Sequence, residues 1–378
     1  MDNRTKLILL LGFLLVISGI FSESLSAIYQ KIKIQKEDGV EVVYNPKDPD
    51  PPAGSATQLI LEEEFTLGQG TDESTFAQLA YFAVDNEGTI YALDSKDCLV
   101  KVFNNQGKFI RHFGRKGQGP GEMNIPTGIH LTFSGEIMIE DPMNQRLVYF
   151  TPDGKFLRTM STVKVLGLAG LILDSKGNMI GRQIVLADNK MVWEIKKYNP
   201  DLTELYTIDR VDSPNPLAGK INPFEYATVY ELDQNDYLYY GKSDKYEIHV
   251  INPEGKLVKK IIKQWAPVRL TEEDKKELLS QISEVGSGIK DRIILPDYYP
   301  PYQVFSLDEE GRLFVRTYEK GRARGEYYFD IFDRQGKYMA KISLKVIPRL
   351  WKHGKLYALE QTEEGYNLLR CFSVRWQI

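Results

Sequence analysis

The chain has 378 residues, enough for one large core or several small ones. Its 48 basic and 52 acidic residues leave a net charge of −4, and this near-balance argues against a dedicated nucleic-acid binder, which needs a basic stripe for phosphates. Two cysteines and four histidines are too few, and too irregularly spaced, for a thiolate or imidazole zinc site.

The N-terminus reads as an address. Arg4 and Lys6 precede an apolar run from Leu7 to Phe21, short for a bilayer span and right for a signal-peptide core. Residues 1–26 are therefore a signal peptide, or alternatively an uncleaved anchor, which would be the only membrane attachment. The expected location is the periplasm or outside the cell, or an outward-facing position at the inner membrane. Residues 27–57, charged and then proline-rich through Asn45 to Gly54, read as an extended tether.

From residue 58 one pattern dominates. Phe82–Asp94 and Leu99–Gly114 are echoed by Ile129–Asp141 and Leu147–Arg158, and both Gly88 to Gly135 and Gly107 to Gly154 are 47 residues. Four short strands per unit at that interval mark a β-propeller blade. Further units follow around Gly177, Asp236, Gly311 and Gly354, giving six blades. Each has two hairpins, with Gly, or Asp201 and Asp236 in its place, where a turn needs positive φ. The strand 59–67 has no blade of its own and is expected to close the ring on the last one. The predicted fold is an all-β, six-bladed propeller over 58–378, expected to be a monomer. An insertion at 263–303 separates blades four and five and carries a helix from Arg269 to Val285 with Thr271 as N-cap.

Asp141-Pro-Met-Asn144-Gln-Arg146-Leu-Val-Tyr-Phe150 and the connector Phe113-Gly-Arg-Lys-Gly-Gln-Gly-Pro-Gly-Glu122 resemble the core and the glycine-rich linker of the NHL repeat. The chain is similar to exported bacterial six-bladed propeller proteins with such repeats, including the Asn45-Pro-Lys segment before the first blade. The match weakens in blades three and four, where Gly181 and Gly241 stand in for Asp94 and Asp141. The resemblance implies the fold; activities on it are too varied to transfer.

In a ring of this kind a site draws on residues just before the innermost strands, here Gln78, Thr127, Ala169, Glu225, Tyr226, Tyr302, Gln303 and Arg349. The expected role is a binding or scaffold module for a protein, peptide or glycan, without a cofactor. Arg115, Tyr226, Tyr298, Tyr299, Tyr302 and Arg349 are the candidate funnel-face contacts, with Trp265 nearby on the insertion. The alternative is a hydrolase or lyase with a funnel metal held by Glu225 and His130. The glycines of 114–121 fit a chain crossing between blades better than a phosphate cradle, since no helix follows.

Overall fold

A computed structural model describes residues 31–69, 73–187, 190–212, 220–224, 228–242, 244–283, 290–362, 365 and 367–378. Among them are six sheets arranged as a closed ring, all antiparallel save for one parallel pairing in the fourth. Blade one comprises Leu79–Val84, Ile90–Asp94, Leu99–Phe103 and Phe109–Phe113, and blade two Gly128–Leu131, Ile137–Asp141, Arg146–Phe150 and Phe156–Ser161. Blade three comprises Ala169–Leu173, Met179–Ala187, Lys190–Tyr198 and Glu204–Asp212. Blade four comprises Thr228–Leu232, Leu238–Lys242, Glu247–Ile251 and Leu257–Lys263. Blade five comprises Val304–Leu307, Leu313–Lys320, Tyr327–Phe332 and Tyr338–Leu344. Blade six takes Ile347–Lys352, Lys355–Gln361 and Asn367–Gln377 from the C-terminus, and its outer strand, Gln58–Leu67, from the N-terminal side. That pairing is the expected closure; it removes the open edge a linear stack would leave.

The hairpins form for a local reason. Asp85, Asn104, Asp174, Asn199, Asp233, Asp308 and Asp333 each turn a side-chain oxygen onto backbone N–H groups two and four residues on, and Asn252 onto the N–H four residues on. Thr132 and Thr151 accept the later N–H in blade two. These Asx and hydroxyl turns set the strand ends before any blade meets another. Asp236 adopts positive φ as expected, but in blade three the residue that does so is Leu202 (φ 60°), not Asp201. Pro200 and Asp201 occupy the two preceding corners, and the Leu202 N–H donates to Asn199 O as the Gly107 N–H does to Asn104 O.

Blades are held face to face by six apolar layers, one per interface. Between blades one and two, for example, Leu93, Val100, Val102 and Cys98 meet Ile137, Ile139, Val148 and Phe150, while Cys371 lies in the layer between blades six and one. The two cysteines are buried, unbonded and in different layers, as small apolar fillers.

Blade four departs from the expected plan. Residues 33–45, read as part of a tether, form a hairpin (Lys33–Glu37 and Val40–Asn45) whose second strand pairs in parallel with Leu257–Lys263, giving this blade six strands. Val42 and Val43 point to opposite faces of this strand and are both buried, so it is covered on both sides. Asn45, 1% exposed, fixes the junction between blades four and five: its side-chain amide donates to Gly336 O (2.9 Å) and Ile262 O (3.2 Å), and its oxygen accepts the Tyr338 N–H (2.8 Å).

The inserted helix runs Glu272–Ser283. Thr271 caps it as expected, in a reciprocal box with Asp274: the Asp274 N–H donates to Thr271 Oγ1, and the Thr271 N–H donates back to Asp274 Oδ2 (3.0 Å). Val285 lies outside the described residues.

Candidate functional site

The inner strands of all six blades line a central channel of about 700 Å³. Their first residues share one rim with the last residues of each blade's second strand: Gly128 faces Glu140, Ala169 faces Arg182, Thr228 faces Lys242 and Val304 faces Arg316. Glu140, Arg182, Lys242 and Arg316 therefore stand at this end of the ring.

Tyr81, His130, Glu140, Glu231 and Arg349 line the channel. Arg349 sits in a bulge of the innermost strand of blade six, between Pro348 and Leu350. Its guanidinium has no hydrogen-bond or ion-pair partner among the described residues, and the surrounding protein depresses its pKa against the pull of Tyr81 and Glu231. Glu231 responds in the opposite sense: burial raises its carboxyl to about 7, only partly offset by the Leu232 N–H and Arg349. Glu140, 3% exposed, accepts from the Leu171 N–H (3.1 Å) and pairs with His130 Nε2 (2.8 Å), while its Oε2 is buried without a partner. Tyr230 donates its hydroxyl to Gly170 O, and Arg182 lies against both; Arg182 Nε is buried and unpartnered among the described residues.

On blade five the second strand continues past the start of the inner strand and carries an aromatic wall to the rim. Arg316 lies 4.1 Å from the Tyr327 ring centre, and its pKa too is lowered by burial. Tyr318 stacks on Tyr299 of the insertion (4.2 Å, 14°), and Phe224 meets both edge-on. Beside Tyr299, Tyr298 is 54% exposed.

The sequence candidates divide accordingly. Arg349 lines the channel, and Tyr298 and Tyr299 are at the surface of the insertion. Tyr302 is not available as a contact: it is 2% exposed, wedged between blades four and five against Tyr246 and Phe305, and donates its hydroxyl to Lys242 O (2.9 Å). Trp265 packs into the same layer. The glycine at 241 is explained by Tyr302, whose hydroxyl fills the space a β-carbon would need; the position of Asp94 and Asp141 falls instead on Gln183 and Lys242.

Arg115 stands outside the channel, paired with Glu122 (2.8 Å). Glu122 also accepts the Gly119 N–H (2.8 Å), so the glycine-rich loop spends its donors on its own carboxylate, whose pKa is lowered by that backbone bond first. Asp141, Asn144 and Arg146 are structural: Asp141 accepts from Asn144, Arg146 and the Asn124 N–H, and Arg146 donates to the carbonyls of Gln118, Gly119 and Glu122. Glu225 and Tyr226 lie outside the described residues. His130 lines the channel but its Nε2 is engaged by Glu140, and no group of three His, Cys, Asp or Glu residues suited to a metal occurs among the described residues.

Arg182, Tyr230 and Glu231 escaped the sequence reading because they sit within strands rather than before them. The usable signal was a charge at an otherwise apolar strand position, as in Met179-Ile-Gly-Arg182-Gln-Ile and Val229-Tyr-Glu231-Leu.

Comparison with known proteins supports the architecture. The family model DUF5128, described as a 6-bladed beta-propeller, matches residues 60–166. A Bacteroides fragilis protein described as exported superposes with a TM-score of 0.53 at 15% identity, over 89% of this chain and 100% of its own. A member of the DUF4221 family from Bacteroides vulgatus superposes at 0.51 and 11% identity, over 85% and 99%. Virginiamycin B lyase from Staphylococcus aureus aligns at 0.46 and 9% identity, over 83% and 99%, too distant to speak to chemistry. No curated protein matches the sequence. Among the described residues no helix is long and apolar enough to cross a membrane. With the ring, its closure and these likenesses together, the chain is a six-bladed β-propeller.

Proposed function

We propose that this chain is an extracytoplasmic binding module that captures a protein, peptide or glycan partner on the funnel face. The observation that carries this reading is the wall of Tyr299, Tyr318 and Phe224 beside the exposed Tyr298, adjoining Arg316 on Tyr327 at the channel rim. Rigid aromatics carry large contact area at small entropic cost, and an arginine stacked on one of them stays charged and oriented. The apolar N-terminal run from Leu7 to Phe21 supports export.

The test replaces Tyr298 and Tyr299 with alanine together and leaves the buried Tyr302 intact. Purified protein is used to capture partners from cell-envelope extract, identified by mass spectrometry. The double variant, folded with an unchanged far-UV spectrum, is expected to lose what the parent enriches. Undiminished capture would overturn the reading.

A further inference from the structure

Large apolar side chains left exposed by the ring are not spread evenly over it. Ile125, Met143, Val163, Leu166, Leu186 and Tyr298, each at least half exposed, all belong to loops or strand ends at the rim where the innermost strands begin. In the hairpin turns of the opposite rim, Phe133 alone among the described residues exposes one that far. Five of the six form a continuous arc over blades two and three. The Asn124 N–H donates to Asp141 Oδ1 (2.9 Å), which brings the loop of Ile125 onto the turn of Met143. The Thr162 N–H donates to Gln145 O (2.9 Å) and the Ile184 N–H to Leu166 O (2.8 Å), so Val163 and Leu166 bridge from that turn to the strand end at Leu186. Ile125 also holds a β-branched side chain at φ 54°, a strained conformation that no burial offsets. Scattered surface leucines need no account, but a joined arc of this kind marks a contact surface.

Two further observations bear on what covers it. The first is charge. Among the described residues of the arc, Glu122 is paired with Arg115 and Asp141 with Arg146, which leaves the exposed Lys116 and Lys164 as its uncompensated charges. The second is where the chain enters. Lys33 pairs with Tyr44, and Tyr44 with Ile262 at the end of blade four's outer strand, so the N-terminal hairpin is entered from this same rim. Residues 22–32, at most about 40 Å when fully extended, separate Lys33 from the apolar run Leu7–Phe21. Arg4 and Lys6 ahead of that run keep its near end inside the cell and send its far end out.

We propose that the arc on blades two and three docks the ring on an anionic lipid surface, the outer face of the membrane that holds the N-terminal run. The run is short for a span, and Lys6 reaching back to the headgroups makes up part of the shortfall. Apolar loop tips then enter the boundary between headgroups and acyl chains, while Lys116 and Lys164 meet the lipid phosphates. The docking goes beyond the binding reading and does not need it, since the tyrosine wall lies elsewhere on the rim, on the insertion between blades four and five.

The full chain, made by cell-free synthesis so that its N-terminus is kept, is reconstituted into vesicles of phosphatidylethanolamine and phosphatidylglycerol. Leu186→Cys and Phe133→Cys variants are each labelled with an environment-sensitive fluorophore; Cys98 and Cys371 are buried and stay unlabelled in the folded protein. With lipid brominated on its acyl chains, emission from position 186 is expected to fall at least twofold and that from position 133 to stay the same. Adding Val163→Ser and Leu166→Ser to the Leu186→Cys chain should abolish the quenching, and vesicles of phosphatidylcholine alone should weaken it. No quenching at position 186, equal quenching at 186 and 133, or undiminished quenching in phosphatidylcholine would overturn the proposal. So would emission at 186 that follows the protein-to-lipid ratio and not bromination, which would give the arc to a second copy of this chain.

Discussion

Removing one buried carboxylate at the junction of blades four and five tests the account of what locks the ring. Asp330, 1% exposed, accepts the hydroxyls of Tyr246 (2.6 Å) and Tyr338 (2.5 Å) and faces the ammonium of Lys263 at 3.3 Å, which is itself shielded and lies over both tyrosine rings. Asp330→Ala leaves that ammonium buried with no counter-charge, at about 3–5 kcal/mol. The two phenols lose their acceptor as well, adding roughly 1 kcal/mol each where water reaches the gap. The expected loss is therefore about 5–7 kcal/mol, a large part of the stability of a typical domain. Burial already holds the Lys263 pKa below its ordinary value while Asp330 pulls it up, so removing Asp330 lowers it further. Between the folded pKa and the unfolded value of about 10.4 the unfolded chain binds more protons than the folded one, so stability rises with pH. The deficit should consequently shrink as pH rises from 7 towards about 9.5. Lys341 and Glu319, the other charges acting on Lys263, oppose each other and leave that sign intact. Urea unfolding of the parent, Asp330→Ala and Asp330→Ala/Lys263→Met at both pH values measures it. The double variant should recover about 2 kcal/mol or more by removing the stranded charge. A single-variant loss under about 1 kcal/mol, or a double variant no more stable than the single one, would refute the reasoning.

Four other expectations follow from the same geometry. Gly241→Ala should destabilise by about 1–3 kcal/mol, because its β-carbon meets the Tyr302 hydroxyl, and Tyr302→Phe in the same chain should restore part of the loss in thermal unfolding. Asn45→Ala, which orphans the Tyr338 N–H and the Gly336 carbonyl, should cost about 1–3 kcal/mol, whereas a tether would tolerate it without change. Glu231 has a folded pKa raised to about 7, so the native state holds its proton longer than the unfolded chain and stability falls as pH climbs from about 4.3 to 7. Glu231→Gln should flatten that slope and add about 1–2 kcal/mol at pH 8; an unchanged slope in chemical denaturation would count against the assignment. Finally, a chain beginning at residue 69 should expose the strand Asn367–Gln377 as an open edge and self-associate in size-exclusion chromatography, while one beginning at residue 31, which keeps the hairpin on blade four, stays monomeric.

The blades were legible in the sequence because what makes them is local. An Asp, Asn or Thr whose side chain reaches two to four residues ahead, a residue able to take positive φ, and alternating apolar residues on either side define a hairpin regardless of its neighbours. The closing strand was legible for a related reason, since Leu59–Leu67 has apolar residues to bury and no hairpin of its own. The capped helix was also local, written in Thr271 and Asp274. Local charge misled in one place: the lysines and glutamates around residues 31–41 read as a tether, although the chain pairs with blade four and buries Val42 and Val43 on opposite faces of the strand.

The funnel was decided elsewhere. Tyr81, Arg182, Tyr230 and Arg349 belong to four different blades and meet only because the ring closes and turns each blade's rim to one axis. Whether Tyr302 is a contact or a wedge depends on Gly241, which faces it from blade four, and that pairing exists only after blades four and five pack. Sequence determined the repeating unit and its number, because hydrogen bonds within a hairpin span a few residues. Tertiary structure alone decided which polar side chains are desolvated together, because that depends on the distance between blades in space and not along the chain.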